Sequence, residues 1–382
     1  MESMKRINGI FSLCFGILLV LSRLASAGVP APVPGGDAGP QRAKHQIANL
    51  GDFQFESGEI VKDFKVSYVT HGKLNESKDN VILVMHHAFG DHNQLGFLIG
   101  PGKALDTNKY FIVATDMLGN ANLRQDITTG PTNSGLKMEF PRYTFRDSVT
   151  VEHRLLKKHL GFDHILAAIG ASVGGMKAYQ FGVSYPTYVS GLISIAGTPV
   201  TNPQMRSVLR NWMDILELDS AWYGGNYETN PIMAYHTMVW NLLPLAFTYE
   251  WFATNLKTED AYRQWQKMWR DYLQRLPMDV RDVYYILNAW KNFNIAETPG
   301  FNGDVKAALQ SIQAQVLIIG NKGDMFFNRE ESIFAQSVIP KATYVEIDTP
   351  WGHLTCLGLD PEGTKIMERE ITKFLSNLVA GG

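Results

Sequence analysis

Cysteine is nearly absent: the 382 residues hold two, Cys14 and Cys356. Two thiols allow at most one disulfide and fall short of the three or four thiolates of a three-cysteine, one-histidine or all-cysteine zinc site. An excess of charge of one sign is lacking as well. Lysine and arginine number 35 against 37 acidic residues, a formal net charge of −2. That leaves no basic surplus for nucleic acid and no acidic tail. Long apolar runs are missing too. The mostly apolar stretch at residues 10–21 is too short to span a bilayer core of about 30 Å as a helix. Repeats and low-complexity tracts are absent outside a linker at residues 28–45, densest in Pro and Gly over 28–41.

The beginning of the chain reads as an address. Lys5 and Arg6 precede the apolar stretch, and Ala25-Ser26-Ala27 forms a small-x-small cleavage signature. Residues 1–27 are therefore expected to be a signal peptide cut after Ala27. The expectation is a periplasmic or secreted protein with no stable membrane anchor. Cleavage removes Cys14, so no internal disulfide is expected, and the roughly 355 residues left are enough to bury a large core.

Strand and helix signals then alternate. Residues 53–61, 64–71, 80–87 and 109–117 are strand-like. Apolar residues recur at helical spacing over 145–160, and Gly161 stops the pattern. A buried strand at 164–171 leads into a helix over 174–184, followed by a strand at 189–196. After residue 300 the alternation resumes: strand 315–320, helix 329–337, strand 343–347 and a closing helix 363–378. This order predicts an α/β protein, a mostly parallel central sheet with helices on both faces. Residues 203–300 break the rhythm; they are helix-rich and hold seven of the eight tryptophans. They read as a helical lid inserted between two core segments, 46–202 and 301–382, and as a surface through which two copies could pair.

Gly170-Ala171-Ser172-Val173-Gly174 is a G-x-S-x-G sequence between an apolar strand and a helix, the setting of a nucleophile elbow. So tight a turn needs small residues two before and two after the serine. Ser172 is thus the candidate nucleophile, although the same residues would also suit a plain glycine-rich turn. A serine at its ordinary pKa needs a base. His353, after a strand near the C-terminus, is the best placed of ten histidines. Asp324 follows the strand 315–320 and would hold the imidazole tautomer; otherwise it is a turn or cap residue. The order Ser172…Asp324…His353 is that of the α/β-hydrolase fold. The backbone N–H groups of Val173 and Ala88, the latter in the loop after strand 80–87, are the expected oxyanion donors.

His86, His87 and His92 invite a metal reading, but neighbours on a strand point to opposite faces, so His86 and His87 do not readily share an ion. No metal and no cofactor are expected; one histidine should pack beneath the site and the others face solvent. The glycines at 170–175 also resemble a phosphate loop, yet no Gly-Lys-Ser/Thr follows.

Several of these segments together resemble the homoserine O-acetyltransferases. They are Gly130-Pro131, Phe140-Pro141, Arg146-Asp147, Leu160-Gly161, the run Gly170 through Met176, Trp222 with Gly225-Asn226-Tyr227, and Asp324-Met325-Phe326. The resemblance covers roughly residues 50–375 and is densest over 140–180. It implies an α/β-hydrolase core with a helical lid, a Ser-Asp-His triad and an acyl-enzyme intermediate. Two departures matter. The family usually carries Asp directly after the catalytic histidine, where this chain has Leu354. It also carries an arginine before the lid entry, near Met213 here, with Arg206 and Arg210 as the neighbouring alternatives. A pocket without partners for a carboxylate and an ammonium should not select homoserine.

The sequence therefore predicts a serine hydrolase acting on a small-molecule acyl ester or thioester. The alternative is an acyltransferase moving an acyl group from CoA to a hydroxyl. A non-catalytic binding protein of the same fold is the third class, and an intact Ser…Asp…His order argues against it.

Overall fold

The computed structural model describes residues 45–119, 128–274 and 278–381. The expected signal peptide and most of the linker lie outside these residues. The chain divides into two compact units. One comprises Gly35–Thr248 with Pro277–Gly382, and the second includes Tyr249–Leu276.

The first unit begins with strand β1, Gln46–Asn49, which the sequence reading missed. Only Ala48 of its four residues is fully buried, and Ile47 is exposed, so the alternation is too faint to stand out. The single strand expected over 53–61 is instead a hairpin of two-residue strands, β2 (Phe53–Gln54) and β3 (Ile60–Val61). Gly58, at φ +93°, makes the reversal, with its N–H donating to the Phe55 carbonyl. Strands β4 (Lys65–His71), β5 (Val81–Met85) and β6 (Phe111–Thr115) follow.

Helix α1, Phe145–Arg154, starts with a capping box: Thr144 accepts from the Asp147 N–H while the Asp147 carboxylate accepts from the Thr144 N–H. It widens into a π turn over Leu155–His159, and Gly161, at φ +72°, ends it as expected. Strand β7 (Ile165–Ala171) runs into helix α2 (Val173–Ser184), and strand β8 (Val189–Ile195) follows.

Helices α3 (Pro203–Leu218) and α4 (Ile232–Ala246) come next. The second unit contains α5 (Tyr249–Asn255) and α6 (Glu259–Leu273), in which Trp265 packs edge-on to Phe252 and parallel to Tyr262. Chain and fold then return to the first unit through α7 (Val280–Lys291), α8 (Val305–Gln310), β9 (Gln315–Asn321), α9 (Arg329–Val338), β10 (Ala342–Ile347) and α10 (Pro361–Gly381).

The main sheet has the strand order β1-β4-β6-β5-β7-β8-β9-β10. β1 and β4 are antiparallel to their neighbours, and every pairing from β6 to β10 is parallel. All residues of β5 and β7 are buried, as befits central parallel strands covered on both faces. The chain reverses its direction of travel across the sheet between β5 and β7, and the carboxyl ends of those two strands carry the site.

Candidate active site

Ser172 sits at φ 56°, ψ −121°, a conformation few non-glycine residues adopt. Its N–H donates to the Ile195 carbonyl at 2.8 Å, and its carbonyl accepts from the Met176 N–H at 3.1 Å. The flanking glycines are needed sterically. A Cβ on Gly170 would lie 2.1 Å from the Gly174 carbonyl oxygen, and one on Gly174 would lie 2.2 Å from that of Met85. The strained serine is thus pinned by strands on both sides and by a helix packed too closely to admit side chains. Val173 opens α2, so its N–H is one of the helix's first donors and has no intrahelical acceptor. Its end of the helix also favours negative charge.

His353 and Asp324 come to this serine from far along the chain. Asp324 follows β9, and both of its oxygens are engaged: Oδ1 accepts from the N–H groups of Phe326 and Phe327 at 2.8 and 3.1 Å. Oδ2 faces His353 Nδ1 at 2.8 Å, and His353 Nε2 faces Ser172 Oγ at 3.0 Å. All three residues are buried. Since Nδ1 carries the hydrogen donated to Asp324, Nε2 presents its lone pair to the serine hydroxyl. Burial alone would push the His353 imidazole below its ordinary pKa. The Asp324 carboxylate outweighs it, aided by the Cys356 sulfur, and the net direction is upward. Asp348, the other nearby acid, is exposed and paired with Lys322 at 2.8 Å.

The imidazole is also gripped from its faces. Phe326 meets it edge-on at 4.7 Å and Phe327 lies at 5.3 Å. Behind them, Trp212 of α3 packs edge-on to Phe326, and Trp290 of α7 stacks on Phe327 at 5.7 Å. Both tryptophans are only 2% exposed. These two aromatics of the 203–300 segment thus back the two phenylalanines that contact the base.

The loop after β5 lies against the elbow, since the carbonyls of both Met85 and His86 crowd Gly174. Ala88 follows two residues later and is buried. His86 packs beneath: its Nδ1 donates to the His87 carbonyl at 2.6 Å, and its Nε2 accepts from the Met117 N–H at 2.8 Å. The expectation that the other two histidines face solvent is corrected. His87 is half-buried against the Gln94 side-chain oxygen at 3.1 Å, and burial holds it down to about 4. His92 is half-buried against Asp116 at 2.9 Å.

One neighbour of the base escaped the sequence reading. Cys356 is buried, with its sulfur 3.8 Å from His353 Nε2. The two share a 3₁₀ helix, Gly352–Leu357, in which residues three apart eclipse. Only a prior assignment of that short helix would have exposed the pairing.

The positions that depart from the acetyltransferase pattern are apolar and closed. Leu354 and Met213 are 4% and 2% exposed. Arg206 is exposed. Arg210 is already held by Asp214 at 2.9 Å and Glu217 at 2.8 Å. The Arg210 guanidinium is thus engaged by two carboxylates of its own helix.

This arrangement has known counterparts. The α/β-hydrolase fold family matches residues 81–358. The homoserine O-acetyltransferase of Nautilia profundicola is 30% identical over 335 residues, 78% of this chain and 90% of that one. The ethyl acetate hydrolase of Pseudomonas veronii is 25% identical over 339 residues, 87% of this chain and 95% of that one. Among solved structures, an acetylester hydrolase from Corynebacterium glutamicum superposes with a TM-score of 0.80 at 23% identity, covering 87% of this chain and 96% of the other. The chain is an α/β-hydrolase-fold enzyme. It belongs, within that fold family, to the group of homoserine O-acetyltransferases and related esterases.

Proposed function

We propose that the protein is a serine esterase that hydrolyses small acyl esters or thioesters through an acyl-enzyme on Ser172. The observation that carries the proposal is the unbroken hydrogen-bonded chain from Ser172 Oγ through His353 to Asp324. In the first half-reaction Oγ attacks the acyl carbon as its proton passes to His353 Nε2. The Val173 and Ala88 N–H groups take the charge that develops on the carbonyl oxygen. Collapse breaks the bond to the leaving alcohol or thiol, which receives the proton from Nε2. Water then attacks the acyl-serine, giving its proton to Nε2, and the carboxylic acid leaves as Ser172 is regenerated.

Water is favoured as the acceptor because Leu354 and Met213 offer an amino-acid acceptor no charged contact. The esterase relatives fit this reading and favour short acyl groups. The acetyltransferase relative supports a second reading, transfer to a hydroxyl, which shares the same acyl-enzyme. Export with cleavage after Ala27 belongs to the proposal too, since acyl-CoA is a cytosolic donor; the mature N-terminus, read by intact mass, should be Gly28.

The test is turnover of p-nitrophenyl acetate. Wild type should hydrolyse it and react with a fluorophosphonate probe, whereas Ser172→Ala, folded by circular dichroism, should do neither. Full activity in Ser172→Ala would end the proposal.

A further inference from the structure

His45, His92 and Asp116 come from three separate places in the sequence and meet at one edge of the sheet. Strand register puts two of them on one face of the sheet. β1 pairs Gln46 with Tyr68, and β4 pairs Tyr68 with Thr115, so Gln46, Tyr68 and Thr115 form one row across three strands. Side chains alternate along a strand, so the next row, Ile47, Ser67 and Asp116, belongs to the opposite face, and His45, one residue before Gln46, falls on that face too. His92 arrives on that face from the loop after β5, where its backbone N–H donates to Asp116 Oδ1 at 2.9 Å.

The resulting donor set is a metal-ligand set. One ligating atom from each of His45, His92 and Asp116 lies within 4.8 Å of the others. His92 Nδ1 is 2.9 Å from Asp116 Oδ2, and the two imidazole rings are 5.1 Å apart, centre to centre. Zinc bonds of about 2.0–2.1 Å in a tetrahedron set ligand atoms roughly 3.3 Å apart, within the span these atoms already cover. His45 supplies the second observation. Its Nε2 is buried and has no hydrogen-bond partner, an atom placed to bond something and bonding nothing in the protein.

We propose that His45, His92 and Asp116 form a site for a borderline divalent cation of the zinc type, separate from the Ser172 centre. Two imidazoles and one carboxylate suit zinc rather than calcium, which prefers an all-oxygen shell. Binding needs no loss of a proton from a neutral His92: its hydrogen moves from Nδ1 to Nε2, freeing the Nδ1 lone pair for the metal. The Ser67 hydroxyl donates to Asp116 Oδ2 and would orient the carboxylate from the second layer. With three protein ligands, a water completes the tetrahedron. The ion would tie the residue preceding β1, a four-residue edge strand, to the loop after β5 and the end of β6. Its effect would be to fix the edge of the sheet.

The test uses the tag-free chain, stripped with chelator and dialysed against ZnCl2. Wild type should retain about one zinc per chain and gain thermal stability, and CoCl2 should produce the intense visible bands of tetrahedral cobalt. CaCl2 should do neither. His45→Ala should lose the bound equivalent, the cobalt bands and the zinc-dependent rise in Tm, while keeping its metal-free Tm close to that of wild type. Should His45→Ala prove unstable, Asp116→Asn gives the same readouts without changing side-chain size. Failure of wild type to retain zinc overturns the site, and so does equal zinc binding by wild type and the folded variant.

Discussion

Cys356 Sγ lies 3.8 Å from His353 Nε2, the nitrogen that also faces Ser172 Oγ at 3.0 Å. A thiol therefore shares the catalytic edge of the proposed base. Any group added to that sulfur must occupy space beside the serine hydroxyl. Methyl methanethiosulfonate, small enough to enter, should add a methylthio group to Cys356 and abolish ester hydrolysis. Reduction with dithiothreitol should restore it. Cys356→Ala should be active and insensitive to the reagent. Wild type that carries the added mass on Cys356 and keeps full activity would refute the steric argument.

Asp324 sets both the tautomer and the proton affinity of His353. Asp324→Asn should cost about 10⁴-fold in kcat, the effect of presenting the wrong imidazole nitrogen to serine. The sign of the pH effect follows from the direction of the shift. The base works only when neutral, and the carboxylate raises its pKa. The acid limb of kcat/KM in wild type should therefore lie above that of an ordinary histidine, near 6.5. In Asp324→Asn the limb should move to lower pH. Identical limbs in the two proteins would show that the measured ionisation is not that of His353.

Hydrolysis and transfer separate on the acceptor. To outcompete water at about 55 M, an acceptor needs dedicated contacts, each worth about 1.5–3 kcal/mol when charged. On the proposed esterase reading, Leu354 and Met213 leave homoserine without both contacts, which implies a loss of roughly 10²–10⁴ in recognition. Ester hydrolysis should be unchanged by millimolar homoserine. With acetyl-CoA as donor, mass spectrometry should find no O-acetylhomoserine. Its appearance would establish the transferase reading.

Stability should carry a histidine signature distant from the chemistry. His153 stacks on Tyr185 at 3.8 Å, and burial, with the Lys157 and Lys158 charges, holds its pKa down to about 4. Its folded pKa is below the unfolded value near 6.5, so the unfolded state binds the proton first as the pH falls. The neutral residue costs nothing above pH 6.5 and destabilises progressively toward pH 4. His153→Phe keeps the stacking and removes that titration. The Tm of the variant relative to wild type should rise as pH drops from 7 to 4.5. A difference independent of pH would count against a half-buried, neutral His153.

Much of this was readable from local patterns. The helix at 145–160 announced itself by apolar spacing and a stopping glycine, and the capping box and the positive φ of Gly161 are the physical form of those signals. The G-x-S-x-G spacing stated the need for two glycines, which the Gly170–Gly174 approach makes literal. The hairpin at 53–61 and strand β1 were misjudged, because two- and four-residue strands carry too few alternating positions to define a period.

Sequence alone determined the alternation of strands and helices, the elbow around Ser172 and the order in which Ser172, Asp324 and His353 appear, because these depend on neighbours a few residues apart. Tertiary structure decided what those residues meet. It closed Arg210 onto Asp214 and Glu217, set Cys356 beside the base and buried Trp212 and Trp290 behind it. It also drew His92 away from its neighbours in sequence toward Asp116 and His45. Backbone periodicity is a local property of the chain, whereas these meetings depend on strand order and register, which join residues that no local pattern connects.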